Sequence, residues 1–351
     1  MTVLYAEVPG FYAEVEWLEH PELSGRAVLV GGDPRKAGTV QSATRDARAA
    51  GVVVGMEMLE ALRRCPRARV CPTDMRRYRE ASARLRAALR RFLDRLEPAG
   101  LGAAYLDASG MARPAEDLAG DLTKAVRDEL GLPLRVGIST AKFLARLAAE
   151  DGSAQVQRVA AGQEQAFLAP LPVERLPGVG PATARRLAAL GAATIGELAS
   201  LDPGRVESAL GGHGRTIWEL AHGRDHSRVQ PSHRKSLSQE SSFRREELDS
   251  TAILEQLRAL AEGLATSLMR EELRARRVTL KLRYVDGERV TRSCTLESGL
   301  ASAAEIHDRA AGLLTRTQAG SRPIRGIGIV LGGLAPVSRQ DRQLDLFGRR
   351  E

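Results

Sequence analysis

The chain has 351 residues, enough for two to four domains with sizeable cores, and 43% of them are hydrophobic, as in a soluble protein. No run reaches the roughly 18 consecutive apolar residues that a membrane helix needs, and the start Met1-Thr-Val-Leu-Tyr5 lacks the basic region and cleavage site of a signal peptide. A net charge of +8 favours a polyanionic partner, nucleic acid first, over the bland alternative of a solvated basic surface. Cys65, Cys71 and Cys294 are spaced like neither a zinc site nor a disulfide framework, so a reducing cytoplasm is the expected compartment.

Residues 2–9 read as a buried strand ending at Pro9, since proline cannot donate to a central ladder. Gly10-Phe-Tyr-Ala-Glu-Val-Glu16 opens a helix. Ala27–Val30 is a strand closed by the turn signal Gly31-Gly-Asp-Pro34, Val40–Ala50 runs from strand to helix, and Glu57–Arg64 is a short helix. From Arg76 to Leu96 apolar residues recur at helical spacing, predicting an amphipathic helix with a basic outer face. Leu96-Glu-Pro-Ala-Gly-Leu-Gly-Ala-Ala-Tyr-Leu-Asp107 then has the length and apolar content of one core strand. Helix Ala115–Leu130, strand Leu134–Ser139 and helix Ala141–Ala149 follow.

Composition shifts near residue 160. Residues 165–222 are helical, with Leu176-Pro-Gly-Val-Gly-Pro-Ala-Thr-Ala-Arg-Arg-Leu187 between helices, and the polar, serine-rich 226–242 reads as a linker. Beyond it come helix 249–272, a strand over Arg277–Tyr284 with Val278, Leu280 and Leu282 alternating against Thr279, Lys281 and Arg283, a hairpin turn at Asp286-Gly287 and strand Arg289–Leu296. Helix 303–317, strand Ile324–Leu331 and a polar tail end the chain. The pattern predicts an α+β multidomain protein with helices bunched on sheet faces.

Several segments resemble the Y-family (translesion) DNA polymerases, in that family's order. Leu96–Asp107 is similar to the palm motif "(I/L)-E-P-x-S-x-D-E-A-Y-L-D", keeping Glu97, Pro98, Ala104, Tyr105, Leu106 and Asp107. Gly10–Glu16 resembles "C-F-(Y/F)-A-x-V-E", Ala47-Arg48 the end of "Y-x-A-R", and Gly137–Ala148 resembles "G-(I/V)-(A/S)-x-x-K-(F/L)-L-A-K-(I/L)-A". Cys65-Pro66 and Tyr78–Ser82 are similar to the bacterial DNA polymerase IV branch. The resemblance implies palm (1–10 and 73–161), fingers (11–72), a helical thumb with a helix-hairpin-helix (162–227), a linker (228–242), a ferredoxin-like little finger (243–335) and a clamp-binding tail (336–351).

It also implies a site. The family's two metal ions are held by an Asp on the first strand and the adjacent Asp-Glu pair; here those positions are Glu7, Gly102 and Ala103. Glu7 is the single remaining candidate metal ligand, and Asp107, roughly 13–17 Å along an extended strand, is a poor substitute. Tyr12 stands at the aromatic gate, Arg48 remains of the nucleotide contacts, Arg45 replaces their Tyr, and Ser153 aligns with their Lys. No cofactor is expected, with Mg²⁺ only for residual activity.

The glycine-rich turn at Gly178 and Gly180, beside Arg185 and Arg186, would receive a DNA phosphate at a helix N-terminus; the plain alternative is a tight αα-turn. Arg234, Lys235, Lys281 and Arg283 are candidate backbone contacts, against a merely solvated sheet face. Gln343-Leu-Asp-Leu-Phe347 closely matches the bacterial sliding-clamp pentapeptide, so Gln343, Leu344, Asp345, Leu346 and Phe347 are expected to bind the clamp. The resemblance thus implies a DNA-binding accessory of lesion bypass, similar to ImuB-type silent relatives, that joins DNA, the clamp and an active polymerase. It lacks their long C-terminal extension. A divergent active polymerase IV and a decoy that occupies the clamp stay open beside it.

Overall fold

Alternation along Val3-Leu-Tyr-Ala-Glu7 sends side chains to both faces of a sheet, and in the structure both faces are covered. The structure, a computed structural model, describes residues 1–23, 25–152, 154–230 and 236–337. It divides into two compact units, Met1–Ser232 and His233–Glu351.

The first unit opens with β1 (Val3–Glu7) and α1 (Phe11–Glu19). Next come β2 (Val28–Gly31), β3 (Val40–Ala43), α2 (Arg45–Ala49), α3 (Met58–Arg64) and β4 (Arg69–Pro72), whose strands form a small sheet in the order β3-β2-β4. The chain continues through α4 (Met75–Arg90), β5 (Leu96–Pro98), β6 (Ala103–Asp107), α5 (Ala115–Leu130), β7 (Arg135–Ser139), α6 (Lys142–Asp151) and β8 (Val156–Arg158). The main sheet runs β5-β6-β1-β7-β8, with β1 central and antiparallel to both neighbours.

One face of that sheet (Leu4, Ala6, Ala104, Leu106, Val136, Ile138) packs on Tyr78, Leu85 and Leu89 of α4 and on Leu118, Leu122 and Val126 of α5. Helical spacing in α4 and α5 supplies this apolar stripe. The other face carries Val3, Tyr5 and Tyr105, covered by Ala145 and Ala149 of α6. Gly137 lets α6 approach: a Cβ there would lie 1.9 Å from the Ala145 carbonyl oxygen. Lys142 on α6 pairs with Glu97 on β5 at 2.7 Å and sits 4.8 Å from the Tyr105 ring centroid.

Two elements differ from the sequence reading. The helix expected over 76–96 stops at Arg90, yet Leu93 and Leu96 stay buried, because the chain leaving the helix keeps to the same core. The stretch 96–107 is a hairpin of β5 and β6 rather than one strand, with Leu96 opposite Leu106. Pro98 has no N–H to extend a ladder, Gly100 adopts φ 134, and Ala99 N–H closes the turn on Ala103 C=O at 2.9 Å.

Helices α7 (Glu164–Leu168), α8 (Pro181–Ala189), α9 (Ile195–Ala199), α10 (Pro203–Leu210) and α11 (Gly212–Ala221) follow. They close on Leu187, Ile195, Leu198, Val206 and Ile217. Thr194 and Glu197 form a reciprocal capping box at α9.

The second unit is β9 (Ser236–Glu247), α12 (Ser250–Arg270), β10 (Leu273–Tyr284), β11 (Arg289–Leu300), α13 (Ala303–Leu314) and β12 (Ile324–Pro336). All pairings are antiparallel, in the order β11-β10-β12-β9. Val278, Leu280, Leu282 and Tyr284 face the helices, with Ile253, Leu257, Leu264 and Ile306 in the same core. The serine-rich stretch expected as linker therefore ends earlier, since residues 236–247 are strand. Only Leu237 and the half-buried Phe243 mark that strand as apolar; its place rests on the backbone ladder to β12. Among the described residues, no helix is long and apolar enough to cross a membrane.

Candidate functional site

Strand register brings the three expected carboxylate positions together. Glu7, the last residue of β1, lies directly opposite Ala103 on β6 and Arg135 on β7. Residues so paired share one sheet face, here the face that α6 partly covers. Gly102 adjoins them, its carbonyl accepting the Val8 N–H at 2.8 Å. Only Glu7 of the three carries a side-chain oxygen. The space at Gly102 is also filled: a Cβ there would fall 2.5 Å from Phe11 Cβ and 2.6 Å from its Cγ.

Burial pushes the Glu7 carboxyl above its ordinary range and Glu150 adds to this, while Arg135, Arg146 and Arg48 pull the other way. Glu14, also buried, is raised by the same desolvation. Asp107 lies at the far end of β6, opposite Val3; it accepts Ser109 N–H at 3.0 Å and pairs with Arg95 at 3.5 Å. Among the described residues, no three His, Cys, Asp or Glu side chains group closely enough to hold a metal. Mg²⁺ requires near-octahedral oxygen ligation, usually by one or two carboxylates with its waters. A two-metal centre does not fit these residues.

Two cavities flank the row. The smaller, about 270 Å³, is lined by Gly10, Tyr12, Arg48, Val54 and Gly102 among others. Tyr12 stacks on Tyr78 with centroids 4.4 Å apart and planes 5° from parallel. The Tyr78 hydroxyl donates to buried Glu16 at 2.6 Å, and Arg77 donates to the same carboxylate at 2.9 Å. Burial and the Glu16 hydrogen bond drive the Tyr78 hydroxyl's pKa up. Tyr12 thus packs on a ring whose hydroxyl is held by a satisfied network, while also lining the cavity.

The larger cavity, about 580 Å³, is lined by Arg45, Arg48, Arg127, Arg135, Glu14 and Asp46 among others. Arg48, expected as the retained nucleotide contact, and Arg45, which replaces the family's Tyr, therefore share it, while Ser153 lies outside the described residues. Arg127 and Arg135 were not identified from sequence. Alternation in Arg135–Ser139 gives Arg135 a face, but not which face until β7 is paired with β1.

At the glycine turn, Gly178 adopts φ 83 and Gly180 caps α8 without a side-chain hydrogen bond. Pro181 at the first helical position has no N–H, so the free donors of the first turn begin at Ala182. His213 packs on Gly178, where a Cβ would meet its Nε2 at 2.7 Å. Arg185 and Arg186 are exposed beside this end.

On the open face of the second sheet, Lys281 and Arg283 stand opposite Gly328 and Gly326. The glycines floor a groove of about 370 Å³ that Arg289, Glu240 and Ser242 also line. Lys281 is held by Glu240 at 2.9 Å, and Arg283 donates to the Ser242 hydroxyl at 3.1 Å. The groove floor was legible as Gly326-Ile-Gly328, with glycine at every second residue. Arg234, Lys235 and Gln343, Leu344, Asp345, Leu346 and Phe347 lie outside the described residues.

Comparison with known proteins agrees along the chain. The impB/mucB/samB family matches residues 7–150, that family's C-terminal domain residues 234–346, and the IMS family HHH motif residues 162–192. The chain is 37% identical to DNA polymerase IV of Halorhodospira halophila over 98% of both chains, and 37% identical to that of Alkalilimnicola ehrlichii over 98% of this chain and 99% of that one. Among solved structures, a Y-family Dbh–Dpo4–Dbh chimera matches at TM-score 0.79 and 23% identity, covering 96% of this chain and all of the other. An insertion ternary complex of Dbh DNA polymerase matches at TM-score 0.77, 23% identity and the same coverage.

Proposed function

This chain belongs to the Y-family DNA polymerases, in the impB/mucB/samB family, and from that premise we propose that it retains DNA binding while lacking metal-dependent nucleotidyl transfer. The observation that carries this reading is the pairing of Glu7 with Ala103 beside Gly102. Nucleotidyl transfer by two metals needs ions about 4 Å apart, which activate the attacking hydroxyl and neutralise the triphosphate. One half-buried carboxylate cannot hold that pair.

In this reading residues 1–10 and 73–161 act as palm, 11–72 as fingers, 162–227 as thumb and 243–335 as little finger. Gly178, Gly180, Arg185 and Arg186 hold one DNA phosphate through backbone donors and charge. Lys281 and Arg283 follow the backbone along the glycine-floored groove, joined by Arg234 and Lys235. Such contacts position the duplex without reading sequence. Gln343–Phe347 recruits the protein to the sliding clamp, where it assists an active polymerase during lesion bypass.

The test is primer extension by the purified chain with its clamp, in Mg²⁺ and in Mn²⁺, beside Glu7→Ala. The expected outcome is no extension above the Glu7→Ala background, with primer-template binding intact. Extension above that background overturns the accessory reading and restores a divergent polymerase.

A further inference from the structure

Where the chain leaves β12 it borders a groove of about 670 Å³ at the end of α12. The apolar lining comes from Ala265, Leu268 and Met269 of α12, Leu273 of β10, Ala301 before α13, and Val337. Met269 is 75% exposed, more than any other large apolar side chain among the described residues. An adaptable thioether left in water beside an apolar hollow marks a contact surface rather than a core.

Backbone geometry fixes the rim of this groove. Glu272 adopts φ 51, the left-handed conformation that ends a helix and usually falls to glycine. That turn sends α12 into β10, and the Glu272 carbonyl accepts the Val337 N–H at 2.9 Å. The last described residue is therefore held on the groove's own edge. Residues 338–351, which follow it, lie outside the described residues. Their large apolar side chains are Leu344, Leu346 and Phe347, and their cations are Arg339, Arg342, Arg349 and Arg350. Phe347 stands ten residues beyond Val337, a reach of at most about 36 Å. On the rim Glu262 and Glu272 are exposed, while Glu305 is engaged with Ser302 in the capping box of α13.

We propose that Leu344, Leu346 and Phe347 dock in this groove of their own chain, with the neighbouring arginines toward Glu262 and Glu272, and that the sliding clamp binds only by displacing them. The inference rests on the reading that Gln343–Phe347 is the clamp motif. Because the segment starts on the rim, a tether this short presents it at an effective concentration of about a millimolar. An intrinsic dissociation constant of about 0.1 mM then keeps about nine-tenths of the chains docked and weakens clamp binding about tenfold. Solvent-exposed charge pairs add little to that affinity; the apolar side chains supply it. Docking covers the motif and Met269 together until the clamp offers a better cleft.

Amide hydrogen exchange tests the docking, on the full chain beside full-length Leu346→Ser/Phe347→Ser. Faster exchange at 265–273 and 301–303 is expected in the double variant. Clamp affinity of the full chain is the second readout. Met269→Asp, an exposed change, is expected to tighten it about three- to tenfold by releasing the motif.

Equal exchange in the native chain and the double variant overturns the docking. Protection that rises with protein concentration assigns the groove to a second copy and overturns the intramolecular contact. Clamp binding that Met269→Asp leaves unchanged overturns the masking. If neither chain binds the clamp, the motif reading fails instead, and tail-dependent protection in the exchange experiment still decides the docking.

Discussion

The first unit's main sheet and the second unit's sheet each pack one face on a pair of helices, yet their opposite faces differ: α6 partly covers that face of the first, over Val3, Tyr5 and Tyr105, whereas that face of the second is polar. On the first, Gly102 and Ala103 flank Glu7, and an arginine completes the row. On the second, Lys281, Arg283 and Arg289 line a groove floored by Gly326 and Gly328. Chemistry by two metals needs particular oxygens at particular positions, so in the function proposed above two substitutions suffice to end it. Backbone binding needs only positive charge along a face, which many arrangements supply. The apolar faces behind both are intact: Leu4, Leu106 and Leu280 are fully buried. In that proposal the residues that would do chemistry lie apart from the main buried cores of the same strands, so one can be lost without the other.

The sharpest break of that comparison is removal of the tail. Deletion of 343–347 is expected to lower clamp affinity by about a hundredfold or more while primer-template affinity holds, since hot-spot residues dominate such contacts. Retained clamp binding would assign recruitment to another surface.

The core beneath the emptied row is expected to be as costly to damage as any. Leu106→Ala should lose about 2–5 kcal/mol in denaturant unfolding, the usual range for a buried leucine. Restoring the site is expected to be costly as well. Gly102→Asp drives its Cβ into Phe11 and should lose about 1–3 kcal/mol from overpacking. An unchanged midpoint would mean that Phe11 yields freely and that the pocket can be refilled.

On the second sheet, Arg283→Ala is expected to reduce the slope of log affinity against log salt by about one. Lys281→Ala should reduce it less, because Glu240 already offsets that charge. Equal slopes for both variants would remove the groove from the DNA contact.

The smallest effect concerns pH. The folded-state pKa of Glu7 lies above its ordinary value of 4.5, so the folded chain holds that proton more tightly than the unfolded one. Its stabilising share is fully present below pH 4.5 and is lost as pH rises through the raised value. Glu7→Gln should therefore melt slightly higher than the native chain at pH 8 and show no gain at pH 4. A gain at both would point to an origin other than titration.

Much of this was legible in the sequence, because local pattern carries it. Period two along 278–284 fixed the buried and open faces of β10, Asp286-Gly287 fixed its turn, and the frame Glu97…Asp107 marked the palm with two carboxylates missing. Where signals depend on chain reversal or on partners, pattern was insufficient. Residues 96–107 have the apolar content of one strand, and Pro98, Gly100 at φ 134 and the Ala99–Ala103 hydrogen bond fold them into two. Strand β9 has little apolar content of its own, so its ladder to β12 had to be seen.

The amino-acid sequence by itself determined which oxygens the palm lacks, since no fold can supply a side chain that Gly102 and Ala103 do not have. Tertiary structure alone decided what took their place. Phe11 over Gly102 and Arg135 opposite Glu7 are contacts across long stretches of chain. Side-chain direction along a strand alternates locally, but the neighbour it meets is set by register between strands.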